Sequence, residues 1–287
     1  MVAAGSLLGV AIHEGVSFPV GKVDMLDVRP MSFCEFLEAM GEDLLAEVIV
    51  SKNYRIMSDW RERLSFWLKN YYYVGGMPEV VQYFSEHKDY LKVRELQNMI
   101  LRQYEDDFGK HATSGALART RMVWNSIPMQ LAKENKKFFF GQIKSGARMK
   151  DFEIAIEWLL DCGLITKVYK VNKPAMPLKA YIDFSAIKLF LLDVGLLGAL
   201  SEVDAETILE GNAIFTEFKG ALTEQFVLQE IVTETAYTPY YFATDTSTYE
   251  IDFMIQKQKD YAIRTSMADY RDEEWLINLP LYAVRNL

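Results

Sequence analysis

The sequence has few of the residues from which disulfide frameworks and zinc sites are built. It contains only two cysteines, Cys34 and Cys162, and three histidines, His13, His87 and His111. Two cysteines without C-x-x-C spacing provide no disulfide framework and argue against a zinc site. The scattered histidines add no metal cluster. So little cysteine fits a reducing compartment, and we expect a cytoplasmic location.

Long uncharged apolar runs are also missing. The most apolar internal stretch, residues 186–200, includes Lys188 and Asp193. A membrane helix needs about 20 nearly uncharged residues, so this stretch is too short. The apolar start "MVAAGSLLGVAI" lacks the basic region and cleavage site of a secretory signal. We therefore expect a soluble protein that has no membrane partner.

The chain is rich in apolar residues, and its charge is unevenly distributed along the sequence. Half of its 287 residues are hydrophobic, which is enough for packed cores, and the length suggests two or three domains. The net charge of −9 comes from residues 203–287, which hold 15 acids and 6 bases. By contrast, the segment 119–150 has eight bases and a single acid, Glu134. Such a basic segment in an acidic protein indicates an anionic partner or a contact with the acidic part.

Hydrophobic periodicity predicts a mixed α/β chain. The start of the chain is typical of a buried strand that ends at Gly5 and Ser6, Ser32 caps a helix over 33–40, and residues 42–70 look helical. Gly75 and Gly76 are expected to form a tight turn before further helices.

The middle of the chain has the element order of a winged helix. Helices are predicted near 115–125, over 126–135 and over 149–162, and strands over 164–171 and 187–193. Three phenylalanines, Phe138, Phe139 and Phe140, interleave with lysines and are expected to pack in the core.

The last part of the chain is predicted to combine a helix with short strands. The helix covers residues 211–235 and a β-hairpin covers 237–258, with a polar turn near 244–248. A further strand is predicted over 261–266. Glu250 and Asp252 are two residues apart in the hairpin, so both carboxylates should point to one face.

Several stretches, taken in order, resemble one family. They are "GSLLGV", "RPMSFCEFL", "GGMPEVV", "IPMQLAKENKKFFFGQIKSGAR", "YIDFSAIKLFLLDVGLLGAL", "FKGALTEQFVLQE", "YEIDF" and "WLINLPLYA". Together they are similar to prokaryotic AAA-type ATPases that carry a C-terminal domain of unknown function, number 4143. The resemblance implies four segments: an ATPase-domain remnant with a helical lid (1–73), a helical connector (74–111), a winged-helix domain (112–202) and a truncated α/β domain similar to restriction endonucleases (203–287).

The chain departs from this family at the nucleotide site. Full-length relatives use ATP and Mg²⁺, but no G-x-x-x-x-G-K-[ST] phosphate loop is present here. The resemblance therefore implies that the chain is N-terminally truncated. Gly5 and Ser6 resemble the end of the family's sensor strand and are expected to form only a turn. We expect no cofactor in this chain.

The second departure concerns the nuclease-like site. Glu224, Glu250 and Asp252 match its carboxylates by resemblance, yet no Glu-x-Lys follows Asp252, which implies an internal deletion near residue 260. Glu224 and Asp252 could bind a divalent metal weakly, because Mg²⁺ accepts mixed protein and water ligands. The alternative, which we favour, is a relic of acidic side chains with no catalytic role.

The basic residues are the candidates for nucleic-acid contact, because Lys and Arg neutralise phosphates. The candidates are Arg119, Arg121, Lys133, Lys136, Lys137, Lys144, Arg148, Lys150, Lys173 and Lys179. The predicted third helix is acidic on its exposed side, so DNA contact is expected from the second helix, the "KSGARMK" turn and the "KVNKPAMPLK" loop.

Three functions remain open from the sequence. The first is a non-catalytic module that binds duplex DNA or a protein partner, or that self-associates through an exposed ATPase-remnant surface. The second is a weak metal-dependent nuclease of the PD-(D/E)xK type. The third is an inert gene remnant with only structural interactions. The absent phosphate loop and Glu-x-Lys favour a chain that is not an enzyme.

Overall fold

The computed structural model describes most of the chain. The described residues are 26–111, 114–133, 137–210, 216–244, 250–257, 262–274 and 276–287. The strand predicted at the start of the chain, with Gly5 and Ser6 at its end, lies outside these ranges, and so does the basic candidate Lys136.

The first described part of the chain is helical. Its helices are α1 (Phe33–Ala39), α2 (Asp43–Val50), α3 (Tyr54–Asp59), α4 (Arg61–Val74), α5 (Pro78–His87) and α6 (Tyr90–His111). Ser32 caps α1 as predicted, since its hydroxyl accepts from Glu35 N while the Glu35 carboxylate accepts from Ser32 N. Residues 42–70 are mostly helical, as predicted, and they belong to three helices. One break lies at Asn53, which accepts a hydrogen bond from Ile56 N and begins a new helix.

Three helices precede the first strand. They are α7 (Ser114–Leu131), α8 (Phe140–Ile143) and α9 (Glu153–Asp161). The two helices predicted between 115 and 135 are a single helix, α7, with Pro128 inside it. Proline removes one backbone hydrogen bond, but Trp124, Ile127 and Leu131 lie on one buried stripe that continues across it.

Four strands form one mixed sheet. They are β1 (Ile165–Val171), β2 (Ile182–Leu191), β3 (Tyr240–Ala243) and β4 (Glu250–Met254), in the order β2-β1-β3-β4. The predicted hairpin over 237–258 is confirmed, because β3 pairs antiparallel with β4, and the two strands predicted before it, of which β2 begins earlier than expected, also pair antiparallel. Parallel pairing of β1 with β3 joins them. The segments 112–202 and 203–287 therefore share a sheet.

The expectation for the three phenylalanines was wrong in part. Phe138 and Phe140 are buried, but Phe139 is 38% exposed. Its backbone is held by Gln130, which exchanges two hydrogen bonds with Phe139 N and O. The neighbouring Phe138 N donates to Ile187 O at 2.8 Å, so this segment lies against β2.

The remaining elements complete a mixed α/β fold, as predicted. They are α10 (Val194–Leu200), α11 (Ala205–Glu210), α12 (Thr216–Glu234), β5 (Ala262–Ser266), β6 (Arg271–Glu273) and β7 (Leu276–Pro280). The last three strands form a second sheet in the order β5-β7-β6, with β5 parallel to β7. Among the described residues, no helix is long and apolar enough to span a bilayer.

A buried carboxylate ties the helical part to the rest of the molecule. Asp193 is fully buried and accepts hydrogen bonds from Gly76 N, Leu196 N and the Gln229 amide. Gly75 has a φ of +75° and leaves room for the Asp193 carboxylate. The predicted tight turn at these glycines is confirmed, and its role is to let the backbone meet a buried acid.

Candidate functional site

The three candidate carboxylates come together around a lysine. Lys188 in β2 is fully buried, and its Nζ donates to Glu250 Oε1 at 2.6 Å. The same Nζ lies 3.5 Å from Glu224 Oε2 and 3.6 Å from Asp252 Oδ1. We call these four residues the Lys188 cluster. The structure thus supports the prediction that the side chains of Glu250 and Asp252 point to one face of their strand. It also places the Glu224 carboxylate beside them.

Three elements position the cluster. β2 contributes Lys188, α12 contributes Glu224, and the edge strand β4 contributes Glu250 and Asp252. The strand order separates β2 from β4 by two strands, and the long lysine side chain reaches across the sheet. On the way its ammonium lies 4.9 Å from the centre of the Tyr241 ring in β3, which is a favourable cation–π distance.

Electrostatics keep the lysine charged. Burial would lower the pKa of Lys188, but the nearby carboxylates of Glu224, Glu250 and Asp252 outweigh burial and raise it above its usual value. A lysine that stays protonated at neutral pH supplies neither a nucleophile nor a general base. Its ammonium acts as an internal cation that partly neutralises three carboxylates.

The exposure of the carboxylates is graded. The Glu224 side chain is 10% exposed, that of Glu250 is 23% and that of Asp252 is 54%. Solvent therefore reaches the cluster from the β4 side. Among the residues that the structure describes, no group of three or more His, Cys, Asp or Glu side chains is arranged to hold a metal ion. The ammonium lies where the carboxylate oxygens converge.

Sequence reasoning missed Lys188 because it looked for the lysine after Asp252. The signal was nevertheless present as a single lysine inside the apolar run "AIKLFLL". A charged group in a buried strand must be paired to offset its desolvation, so such a lysine predicts carboxylates nearby.

The basic candidates come from other segments of the chain than the Lys188 cluster. Those exposed are Arg119 and Arg121 on α7, Lys144, Arg148 and Lys150 between α8 and α9, and Lys173 and Lys179 in the β1–β2 loop. Lys133 and Lys137 are half-buried. Lys137 lies close enough to Asp183, at the start of β2, to lower the pKa of that carboxyl, although hydrogen bonds from Ser185 are the larger cause.

Comparison with known proteins identifies two segments of the chain. Residues 65–207 match a domain of unknown function (DUF8612), and residues 219–282 match a second domain of unknown function (DUF4143). No curated protein and no solved structure matches the chain. Lys188 belongs to the first segment and its carboxylate partners to the second. The resemblance to the domain of unknown function 4143 is thus confirmed, and the Lys188 cluster joins it to a DUF8612 segment.

Proposed function

We propose that this chain is a binding module that holds duplex DNA and does not act on it chemically. The observation that carries the proposal is the group of exposed basic residues on α7, on the turn before α9 and on the β1–β2 loop. We call this group the basic surface. Its members are Arg119, Arg121, Lys144, Arg148, Lys150, Lys173 and Lys179.

Packing favours a common surface for these residues. α7 packs on α8, α9 and β2, and the hydrogen bond from Phe138 N to Ile187 O holds the following segment against β2. Lys137 then lies near Asp183, at the β2 end of the β1–β2 loop. The loop lysines and the turn before α9 are therefore attached to the same strand pair.

The acidic side chains of α9 favour the same arrangement. Glu153 and Glu157 are exposed, and Glu157 accepts from Lys167 Nζ at 2.6 Å. A helix with this charge would be repelled by phosphates lining a groove of DNA. DNA contact is therefore assigned to the turns and loop that flank α9.

The Lys188 cluster supports the non-catalytic part of the proposal. A phosphodiester-cleaving site needs carboxylates that hold a metal ion and activate water. Here the carboxylates of Glu224, Glu250 and Asp252 share a protonated lysine instead. Their ion pairs with Lys188 attach β4 and α12 to β2, so the cluster supports the fold.

A charge-removal variant tests the DNA proposal. Replacing Lys144, Arg148 and Lys150 together by Gln should weaken binding of a fluorescent duplex and flatten its salt dependence. Each lost phosphate contact lowers the slope of log K against log [salt] by about 0.9. Fluorescence anisotropy at several salt concentrations measures both effects.

The control carries the same change of charge elsewhere. Arg55, Arg102 and Lys219 are exposed outside the basic surface, and replacing them by Gln should leave the slope near that of the unchanged protein. Equal slopes for the two triple variants would refute the assignment of DNA to the basic surface. The chain would then be a module that binds a protein partner or a second copy of itself.

A second candidate, a metal-dependent nuclease, is favoured by one observation. Lys188 supplies the lysine that sequence analysis could not find, beside carboxylates of the kind that such enzymes use. Plasmid incubated with Mn²⁺ tests it, beside a variant with Glu224, Glu250 and Asp252 replaced by Ala. Nicking that only the unchanged protein performs would establish the nuclease, while equal nicking would remove it.

A further inference from the structure

One end of the four-stranded sheet has an aromatic face opposite the Lys188 cluster. Val171 in β1 is opposite both Ile182 in β2 and Phe242 in β3, and Tyr169 is opposite Tyr240. Because side chains alternate along a strand, these residues share one face. The residues between them in sequence, Lys170, Asp183 and Tyr241, point to the face that carries the Lys188 cluster.

This aromatic face forms a small hydrophobic cluster that touches the main core through Tyr169. Its buried members are Val171, Leu178 and Tyr240, and its half-buried members are Tyr169, Tyr181, Ile182, Phe242 and Met254. All of them come from the four strands or from the β1–β2 loop, and no α-helix of the described residues contributes. At this end the sheet face is covered by its own loop.

The cluster continues into exposed side chains. Phe184 is 68% exposed, and its ring meets the Tyr169 ring edge-on, with 5.6 Å between the ring centres. Phe184 belongs to β2, which is an edge strand of the sheet. Burying an aromatic ring is favourable, and this exposed ring extends the aromatic cluster to the surface, where a ligand can cover it.

Lysines surround these rings. Lys167 Nζ lies 5.2 Å from the centre of the Tyr169 ring, and Lys173 Nζ lies 6.0 Å from that of Tyr181. Lys179 is exposed in the same loop. An aromatic face bordered by cations is complementary to a ligand that has both flat apolar rings and negative charges.

We infer that this face binds single-stranded nucleic acid, with bases stacked on Phe184 and Tyr181 and phosphates beside Lys173 and Lys179. The inference rests on the proposed function and specifies where an unpaired strand would lie. A duplex keeps its bases stacked inside and cannot offer their faces to Phe184, whereas a single strand can. Both DNA and RNA have this chemistry.

A stacking variant tests the inference. Phe184→Ala should weaken binding of a fluorescent oligo(dT) of about 12 nucleotides by about 5- to 150-fold, the effect of losing a base–aromatic stack. Duplex affinity should stay unchanged. Anisotropy with oligo(dT), oligo(rU) and a duplex measures the three affinities and separates DNA from RNA. Because Phe184 is exposed, replacing it should not prevent the protein from folding, and a thermal unfolding curve checks this.

The control removes an equally apolar side chain elsewhere. Leu91 is 81% exposed, and Leu91→Ala should leave all three affinities as they are. Unchanged oligo(dT) and oligo(rU) binding by Phe184→Ala, with duplex still bound, would overturn this inference alone. Loss of self-association in Phe184→Ala without any effect on oligonucleotides would assign the face to a second copy and also overturn it. No binding of any nucleic acid would refute the proposed function as well.

Discussion

At the scale of single residues, buried charges organise this molecule. Lys188 and three acids form one group, and Asp193 with its backbone donors forms another. Sequence alternation predicted that Glu250 and Asp252 share a face. It could not predict Lys188, which comes from a strand 62 residues earlier and is brought there by tertiary pairing.

A third buried acid makes stability depend on pH. Glu230 in α12 is 2% exposed, and its carboxylate accepts a hydrogen bond from Phe33 N at the start of α1. Burial raises the pKa of Glu230 to about 8, and the neighbouring charges of Glu234 and Glu35 add to the rise, while Phe33 N and Arg285 oppose it.

Because the pKa of Glu230 is higher in the folded chain than in the unfolded one, its contribution to stability is complete below about pH 4.5 and is lost as the pH rises through about 8. Glu230→Gln keeps an acceptor for Phe33 N and cannot ionise. At pH 9 it should raise the free energy of unfolding by about 2–5 kcal/mol. Urea unfolding measured between pH 4 and pH 9 checks this.

The exposed Glu38 of α1 supplies the comparison. Glu38→Gln should leave the pH profile unchanged. If Glu230→Gln loses stability with rising pH as steeply as the unchanged protein does, the carboxyl of Glu230 is not what titrates.

At the scale of elements, the turn between α4 and α5 leaves no room for a side chain at its first glycine. A Cβ at Gly75 would lie 2.2 Å from Asp193 Oδ1, and the φ of +75° is itself unfavourable for other residues. Gly75→Ala should therefore lower the free energy of unfolding by about 3 kcal/mol or more, through both strain and displacement of the acid. Chemical denaturation measures the change.

A substitution at Gly146 separates backbone strain from the displacement of Asp193. It has a φ of +76° but open space around its Cβ position, so Gly146→Ala carries backbone strain alone and should cost about 1 kcal/mol. Equal losses in the two variants would show that the contact with Asp193 adds nothing.

The boundaries of helices were predicted correctly where a local sequence signal decided them, and incorrectly where tertiary packing did. Ser32 and Glu35 specify the start of α1 locally, so the cap was predictable. A boundary between two helices was predicted near residue 126, yet α7 continues through it and through Pro128 because its buried stripe packs on α9 and β2. The energy of that packing is set by neighbours distant in sequence, which local patterns do not report.

At the scale of the whole molecule, the two matched segments are joined by a sheet and a charge cluster. β1 and β2 belong to the DUF8612 segment, β3 and β4 to the DUF4143 segment. The mixed α/β class followed from hydrophobic periodicity. The parallel pairing between β1 and β3 could not be predicted from the sequence. About seventy residues separate the two strands, and pairing over that distance leaves no local pattern.

The basic surface belongs entirely to the DUF8612 segment, while the acidic excess lies mostly in the other. The charge of the chain is therefore divided unevenly between its two matched segments.

The most direct measurement is the affinity of the unchanged protein for a fluorescent duplex as a function of salt concentration. The account predicts binding at low salt that weakens steadily, with a slope of log K against log [salt] of about −0.9 for each phosphate contact. Absence of binding at low salt, or an affinity that does not change with salt, would contradict it.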